Sequence, residues 1–493
     1  MEAFMRTGSY INGEWYHPKS NRLVHNINPA DTADVLAEFP AATAEDVQRA
    51  IDGAQAAFRS WEKTPGPERG RVIWRAAEIA RRRADEIARA LTREEGKILK
   101  EAKGEVLKGI SLLEFYAGEG FRMHGKTLPS EARDTFTYTI RRPLGVVGLI
   151  APWNFPWAIP VWKSAPAIVA GNTVVFKPAE LTPATASLLA EIYQEAGLPP
   201  GVFNMVVGSG SVVGEAIVNS RAVRAVSFTG SNEVGGALYV KAAARGAKVT
   251  CEMGGKNAVI VMPDADLDKA AIAIHGGAFG STGQRCTATS RVIAMPAVKE
   301  ALLERLVDQA KKIKIGAGLD ESVDMGPAVD EKQWKTDLDY IELGKREGAR
   351  LVLGGKRPEH LSGGYFIEPT IFDNVTPDMR IFREEIFGPI LSVSTAKNLD
   401  EALQIANSVE YGLTSSIFTE NIDWMMNFVE EVETGMVHVN EPTIGGEAQL
   451  PFGGTKATGV GEREMSEEGL NFFTELKTVF INYSGKAERL MIR

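Results

Sequence analysis

Apolar residues recur at helical spacing in Val47, Ile51, Ala54 and Phe58, directly after Thr43-Ala44-Glu45-Asp46. A threonine followed by acids supplies what a helix start needs: a hydroxyl for an orphan amide, and carboxylates at the positive end of the dipole. Helical spacing continues through Arg71 to Ala90 and Gly104 to Tyr116, which predicts a helical N-terminal third in which Arg81-Arg82-Arg83 is a solvated face. From Gly145 the pattern changes to short apolar runs alternating with amphipathic stretches. Gly145 to Ile150, Thr173 to Phe176, Val202 to Val207, Ala225 to Phe228 and Ala258 to Met262 read as strands, with helices such as Ala184 to Ala196 and Val212 to Asn219 between them. Strand and helix in alternation imply βαβ units and a largely parallel sheet.

The alternation resumes farther on. Leu302 to Ile313 and Leu399 to Asn407 read as helices, and Leu351 to Leu353, Thr370 to Phe372 and Met436 to Val439 as strands, so two α/β layers are expected. Two segments fit neither layer: Arg122 to Arg142, with its alternating Thr135-Phe136-Thr137-Tyr138-Thr139-Ile140, and the tail Lys477 to Tyr483. They are candidates to pair as an arm, within one chain or between subunits.

Composition narrows the function. A 493-residue chain is long enough for two or three domains, and 44% hydrophobic with 24% charged residues is globular. A formal charge of −9 and no long basic run argue against nucleic acid and for a small-molecule ligand. Met1-Glu2-Ala3-Phe4-Met5 has no apolar signal core, and the most apolar stretch, Gly145 to Ala170, is interrupted by Asn154, Lys163 and four prolines. No membrane span and a cytoplasmic location are expected. Two cysteines supply neither a disulfide framework nor zinc-ligand spacing, so metal-free chemistry in a reducing compartment is expected.

One of the two, Cys286, lies in Phe279-Gly280-Ser281-Thr282-Gly283-Gln284-Arg285-Cys286-Thr287. Such small and polar neighbours bring backbone amides to a sulfur and favour its ionised form, whereas an inert core thiol belongs in an apolar run. For a nucleotide, Gly208-Ser209-Gly210-Ser211-Val212-Val213-Gly214 misses the dinucleotide fingerprint by one residue, and no acid stands out at the required distance beyond it. Gly230 and Ser231, at the next strand end, would offer free amides and a hydroxyl to an anion. Lys177 and Glu180 follow another strand; they are either solvent-facing or hold ribose and phosphate, and the carboxylate would favour NAD over NADP.

Pro152-Trp153-Asn154-Phe155-Pro156, Cys251-Glu252-Met253-Gly254-Gly255-Lys256, the Cys286 loop, Glu384-Glu385-Ile386-Phe387-Gly388-Pro389 and Pro451-Phe452-Gly453-Gly454 follow one another in this order. Together they resemble the aldehyde dehydrogenase superfamily across nearly the whole chain. The resemblance implies a Rossmann-like NAD(P)-binding domain (residues 1–121 and 143–250), a catalytic α/β domain (251–445), a small β oligomerisation arm (122–142 and 471–493), and a segment, 446–470, returning to the cofactor domain. It assigns Cys286 as nucleophile, Asn154 with the Cys286 backbone amide as oxyanion hole, and Glu252 as the base that activates water. Lys163 and Glu467 resemble a proton-relay pair, although both also suit surface ion pairs. Trp153 and Ser231 resemble residues along the adenosine and pyrophosphate path, and Glu385 and Phe387 those at the nicotinamide ribose and ring. Cys251, adjacent to Glu252 in an extended segment, should face the other way, into a core.

Cys286-Thr287-Ala288-Thr289-Ser290-Arg291, Val323-Asp324-Met325-Gly326-Pro327 and Asp337 to Glu342 are similar to the branch that oxidises 2-oxoglutarate semialdehyde (2,5-dioxopentanoate). Arg285 is then a candidate partner for a distal carboxylate. Trp157 and Phe452 are candidates to line the entrance; with Trp162 they would instead suit an unbranched or aromatic aldehyde. A phosphorylating or CoA-acylating relative would not rely on Glu252, and a noncatalytic binding relative would not need Cys286, Glu252 and Asn154 together.

Overall fold

The computed structural model describes residues 6–485; Met1–Met5 and the end of the expected arm after residue 485 lie outside the described residues. Among the described residues the chain builds an eight-stranded and a seven-stranded sheet, with a separate three-stranded ribbon. The first sheet runs, in spatial order, Glu14–Tyr16, Ser9–Ile11, Phe203–Met205, Thr173–Lys177, Val146–Ile150, Val223–Thr229, Lys248–Glu252 and Gly459–Val460. Its central strands are parallel, with Val146 opposite Thr173 and Phe228 opposite Ile150. Val146–Ile150 and Thr173–Lys177 are buried at every residue, as strands covered on both faces must be.

Alternate residues feed different cores. Val147, Leu149, Val174 and Phe176 pack under the helices Gly66–Arg82, Ala84–Glu95, Leu99–Glu119, Ala158–Ala170 and Pro183–Glu195, whereas Val146, Val175 and Val226 pack with the helices Ala44–Trp61 and Asn232–Ala244. The helix at 44 starts as its sequence predicts: the Thr43 side chain accepts from the Asp46 amide, and Asp46 returns a bond to the Thr43 amide. The run Arg71 to Ala90 is two helices, Gly66–Arg82 and Ala84–Glu95, that meet at Arg83. Arg83 is no solvated face; its guanidinium pairs with Glu86 at 2.8 Å and Glu191 at 2.7 Å.

The second sheet runs Arg350–Leu353, Thr370–Asp373, Ile390–Thr395, Thr289–Ala294, Asn257–Val261, Thr414–Phe418 and Met436–Val439, parallel except at its first edge. The two orphan segments pair within the chain: Thr135–Pro143 runs antiparallel to Thr474–Asn482, from Thr135 opposite Asn482 to Pro143 opposite Thr474. The short N-terminal strands have no counterpart in the sequence reading. They extend the first sheet as an antiparallel edge, Tyr10 opposite Met205.

Candidate active site

In the first sheet the chain steps outward from Val146–Ile150 through Thr173–Lys177 to Phe203–Met205, then returns to the other side of Val146–Ile150 as Val223–Thr229. The crevice outside the carboxyl ends of two such strands is where open α/β sheets bind ligands. Ala151-Pro152-Trp153-Asn154 leaves one of these ends and Gly230-Ser231 the other. Next door, Lys248–Glu252 ends at Glu252, and the link Met253–Lys256 carries the chain into Asn257–Val261 of the second sheet. Cys286 stands just before the neighbouring strand Thr289–Ala294. The carboxyl edge of one sheet therefore faces the amino edge of the other across these residues.

Asn154 is buried, and its side-chain Nδ2 donates to the Gln284 carbonyl at 3.0 Å. A primary amide has two N–H groups, so one remains for a ligand. The loop ahead of Cys286 is left-handed at Ser281 (φ 49°) and Thr282 (φ 58°), a conformation costly for a β-branched residue and common at functional sites. It is held by Ser281 N–H to Glu101 Oε1 at 2.7 Å and by the Thr282 hydroxyl to Gly326 O at 3.0 Å. Gly283 (φ 69°) is required there, because any Cβ would strike the Gly388 carbonyl. Asn257 Nδ2 fixes the Cys286 carbonyl at 2.7 Å.

Burial, with Glu385 and Glu252 nearby, pushes Cys286 up to about 12, against the lowering effect of the Thr287 and Cys286 backbone amides. The small polar neighbours do supply donors, but desolvation outweighs them. Cys251 faces the other way as its strand predicts, wholly buried in the apolar core with its Sγ 3.8 Å from Gly235 O.

Glu252 is buried, with Oε2 unpartnered and Oε1 against the glycine-rich turn; a Cβ at Gly453 would collide with it. Burial and the neighbouring Glu464 raise its pKa well above the usual carboxylate range, with Lys163 and Arg463 acting in the opposite sense. Lys163 lies in the fully buried helix Ala158–Ala170 and its Nζ contacts Glu464 Oε1 and, at 2.7 Å, Ser227 Oγ. Trp162 Nε1 donates to the other Glu464 oxygen at 2.7 Å. Glu467, the expected partner of Lys163, is exposed in the first turn of the helix Ser466–Phe472. Glu464 takes that place because its backbone pairs with Phe452, which turns its side chain inward while the next helix sends Glu467 out. Sequence reasoning missed Glu464 and Ser227; the one available signal was an acid two residues before a helix start, close behind Pro451-Phe452-Gly453-Gly454.

Trp153, Asn154, Gly230, Ser231, Cys286, Glu385 and Phe387 line one cavity of about 480 Å³. The Phe387 ring (φ 65° at its backbone) meets Trp153 edge-on at 5.5 Å between centroids. Glu385 Oε1 accepts from the Gly255 amide at 2.8 Å, and burial lifts its pKa to about 7. Ser231 caps the helix Asn232–Ala244 with extended backbone and no side-chain bond to its amides, so those donors stay open. Gly208–Gly214 is absent from this lining among the described residues, and its last five residues, Gly210–Gly214, form a short π-helical turn instead. Lys177 is buried, bonded to Pro178 O at 2.8 Å and lowered to about 8 by burial. Glu180 is partly exposed and pairs with Arg22 at 2.7 Å. A nicotinamide dinucleotide fits this set: open amides at a helix start for phosphate, a carboxylate for ribose, and an aromatic wall.

Two expected substrate residues lie elsewhere or are already engaged. Trp157 is fully buried, its Nε1 bonded to Val106 O, and touches no entrance; it begins a helix whose every side is covered. Arg285 is tied to Glu101 at 3.1 Å and to Ser281 Oγ at 3.0 Å. Phe452 packs on Trp162 at 5.3 Å beside Glu464, in the core against which Cys286 rests. Among the described residues no cluster of three or more His, Cys, Asp or Glu is arranged for a metal ion, and no helix is long and apolar enough to cross a membrane.

Residues 15–479 match the aldehyde dehydrogenase family. The chain is 50% identical over 475 residues to the alpha-ketoglutaric semialdehyde dehydrogenase of Bacillus subtilis, covering 96% of this chain and 97% of that protein. It is also 50% identical over 460 residues to the 2,5-dioxopentanoate dehydrogenase of Saccharolobus solfataricus, with 92% and 95% covered. Among solved structures, betaine aldehyde dehydrogenase of Staphylococcus aureus in complex with NAD+ superposes with a TM-score of 0.96 at 33% identity, covering 99% of this chain and 97% of that one. An E. coli NADP dependent enzyme gives 0.94 at 37%, with 97% and 98% covered. The chain belongs to the aldehyde dehydrogenase family. It is an oxidoreductase that oxidises an aldehyde with a nicotinamide cofactor.

Proposed function

We propose that this enzyme converts 2-oxoglutarate semialdehyde to 2-oxoglutarate through a covalent thioester on Cys286. The observation that carries the mechanism is the single cavity in which Cys286 and Asn154 meet Gly230, Ser231, Glu385 and Phe387. Cys286 gives up its proton to solvent in the cavity, and its sulfur bonds to the aldehyde carbon. The free N–H of Asn154 and the Cys286 backbone N–H receive the oxyanion; losing one such donor costs roughly 3 to 4 kcal/mol. Bound nicotinamide supplies the acceptor for the hydride that leaves this carbon. Glu252 takes a proton from water, the hydroxide adds to the thioester, and the Cys286–carbon bond breaks to release the acid. Lys163 and Glu464, with Ser227, form the buried chain that drains protons from Glu252. A water-activating carboxylate supports hydrolysis over transfer to phosphate or CoA.

The first sheet layer (1–121 and 143–250) holds the cofactor and residues 251–445 the thiol, joined by the return segment 446–470. Trp153, Gly230, Ser231, Glu385 and Phe387 embrace the dinucleotide, with Lys177 and Glu180 at its ribose. Glu180 favours NAD, but Arg22 at its side offers a partner for a 2′-phosphate, so either dinucleotide is accommodated. The ribbon leaves Leu476, Phe480 and Ile481 exposed, which suits pairing with further copies in a homotetramer or homodimer. Two unpaired thiols suit a reducing cytoplasm.

The names of the relatives support the semialdehyde. A broader aliphatic or aromatic specificity has its own support, since Arg285 already has Glu101 as partner and Trp162 and Phe452 are aromatic. Initial rates with 2-oxoglutarate semialdehyde, an unbranched aldehyde of equal length and benzaldehyde, each with NAD and with NADP, decide between them. A kcat/KM for the semialdehyde roughly tenfold or more above the others is expected. Equal values would replace it with the broad reading.

A further inference from the structure

We infer that Lys97, Glu101 and Glu105 form a brace that sets the spacing between the Asn154 amide and the Cys286 N–H. The inference rests on the roles proposed for these two groups. All three residues lie at one end of the helix Leu99–Glu119, or just before it, and Glu101 and Glu105 share a face because they are one turn apart. Lys97 is 1% exposed, and Gly96 before it is left-handed (φ 97°), a turn that delivers the lysine inward.

The polar contacts of the brace reach both halves of the site. Lys97 Nζ donates to the Asn154 carbonyl at 2.7 Å and to Glu105 Oε2 at 2.7 Å, and lies 4.0 Å from the centre of the Phe155 ring. Glu105 Oε1 accepts the amides of Trp157 at 2.9 Å and Ala158 at 3.1 Å. The turn bearing Asn154 is thus gripped before and after Phe155-Pro156 by one buried ion pair. Four residues earlier on the same helix, Glu101 Oε1 accepts the Ser281 amide at 2.7 Å and Arg285 Nη2 at 3.1 Å, which holds the left-handed turn ahead of Cys286. Two loops from different sheets are referred to one rigid helix end. A buried ion pair is by itself a poor source of stability against an apolar isostere, which leaves geometry as the use of Lys97 and Glu105. Arg285, held by Glu101 and Ser281, belongs to the brace as a positioning residue.

The test is a set of double-mutant cycles on the full-length enzyme, read as single-turnover acylation, with Lys97→Met and Glu101→Gln each made alone and in an Asn154→Ala background. Lys97→Met alone is expected to slow acylation roughly tenfold to a hundredfold with cofactor affinity unchanged. In the Asn154→Ala background it should cost less than about threefold, because the group it positions is already gone. Losses that multiply in full would reduce Lys97 to a fold-stabilising residue and overturn the brace. Glu101→Gln keeps the acceptor for Ser281 N–H and releases Arg285, so it is expected to slow acylation less than Glu101→Ala. Should Lys97→Met fail to fold, the ranking of these two carries the decision: equal rates, or rates matching the parent, would overturn the brace. Full activity in Asn154→Ala would instead fell the proposed role of Asn154, and the brace with it.

Discussion

The turn carrying Asn154 and the strand end carrying Glu252 are both buried, yet they are held in opposite ways. Around Asn154 the polar groups are tied down: its carbonyl to Lys97, its amide to Gln284, and the following amides to Glu105. Glu252 keeps one carboxylate oxygen without a partner and sits against glycines 453 and 459, with Lys163 and Glu464 acting on it through charge. A group that must hold an oxyanion needs a fixed position, because a displaced donor loses the transition state. A group that must take and pass on a proton needs an available lone pair and a tuned pKa. The two regions divide the proposed chemistry along that line.

The largest effect that tests this division is on the thiol that both regions serve. Cys286→Ala is expected to lower turnover by roughly 10⁴-fold or more while cofactor binding, followed by quenching of intrinsic fluorescence, stays intact. Retained turnover would mean that neither region serves a covalent step. A smaller effect separates charge from position. Glu464 raises the pKa of Glu252, and Glu252 must be ionised to accept a proton, so hydrolysis is lost as pH falls through that raised value. Glu464→Gln removes a negative charge beside it and should move the acid limb of kcat to lower pH. Glu467→Gln, at an exposed site, should leave the limb in place. An unchanged limb in Glu464→Gln, or a shift in Glu467→Gln, would return the relay to the residue first expected.

The sequence carried the framework because strand and helix periods survive wherever a whole face is buried. The runs that begin at 145, 173, 225 and 258 enter the two sheets, and the alternating segments read at 135 and 477 find each other. The N-terminal strands were illegible because they are short edge pieces without a sustained period. In the site, residues fixed by local chain direction were readable: Cys251 and Glu252 alternate, and Gly230 and Ser231 follow a strand. Residues fixed by tertiary partners were not. Whether Lys163 meets Glu464 or Glu467 depends on the bridge between Phe452 and Glu464, and whether Arg285 is free depends on Glu101, far away in sequence. The surroundings of the thiol were half legible for the same reason: its neighbours in sequence are polar, while the core it rests against and the carboxylates that raise it come from elsewhere.

The central claim is that Cys286 captures the aldehyde carbon and that Glu252 is needed mainly to release it. It is tested most directly by mixing Glu252→Gln enzyme with aldehyde and cofactor, then following reduced cofactor by rapid absorbance and the protein by intact mass. The expected result is a burst near one equivalent, slow turnover thereafter, and an acyl adduct that maps to Cys286. A linear trace at parental rate with no adduct on Cys286 would contradict it.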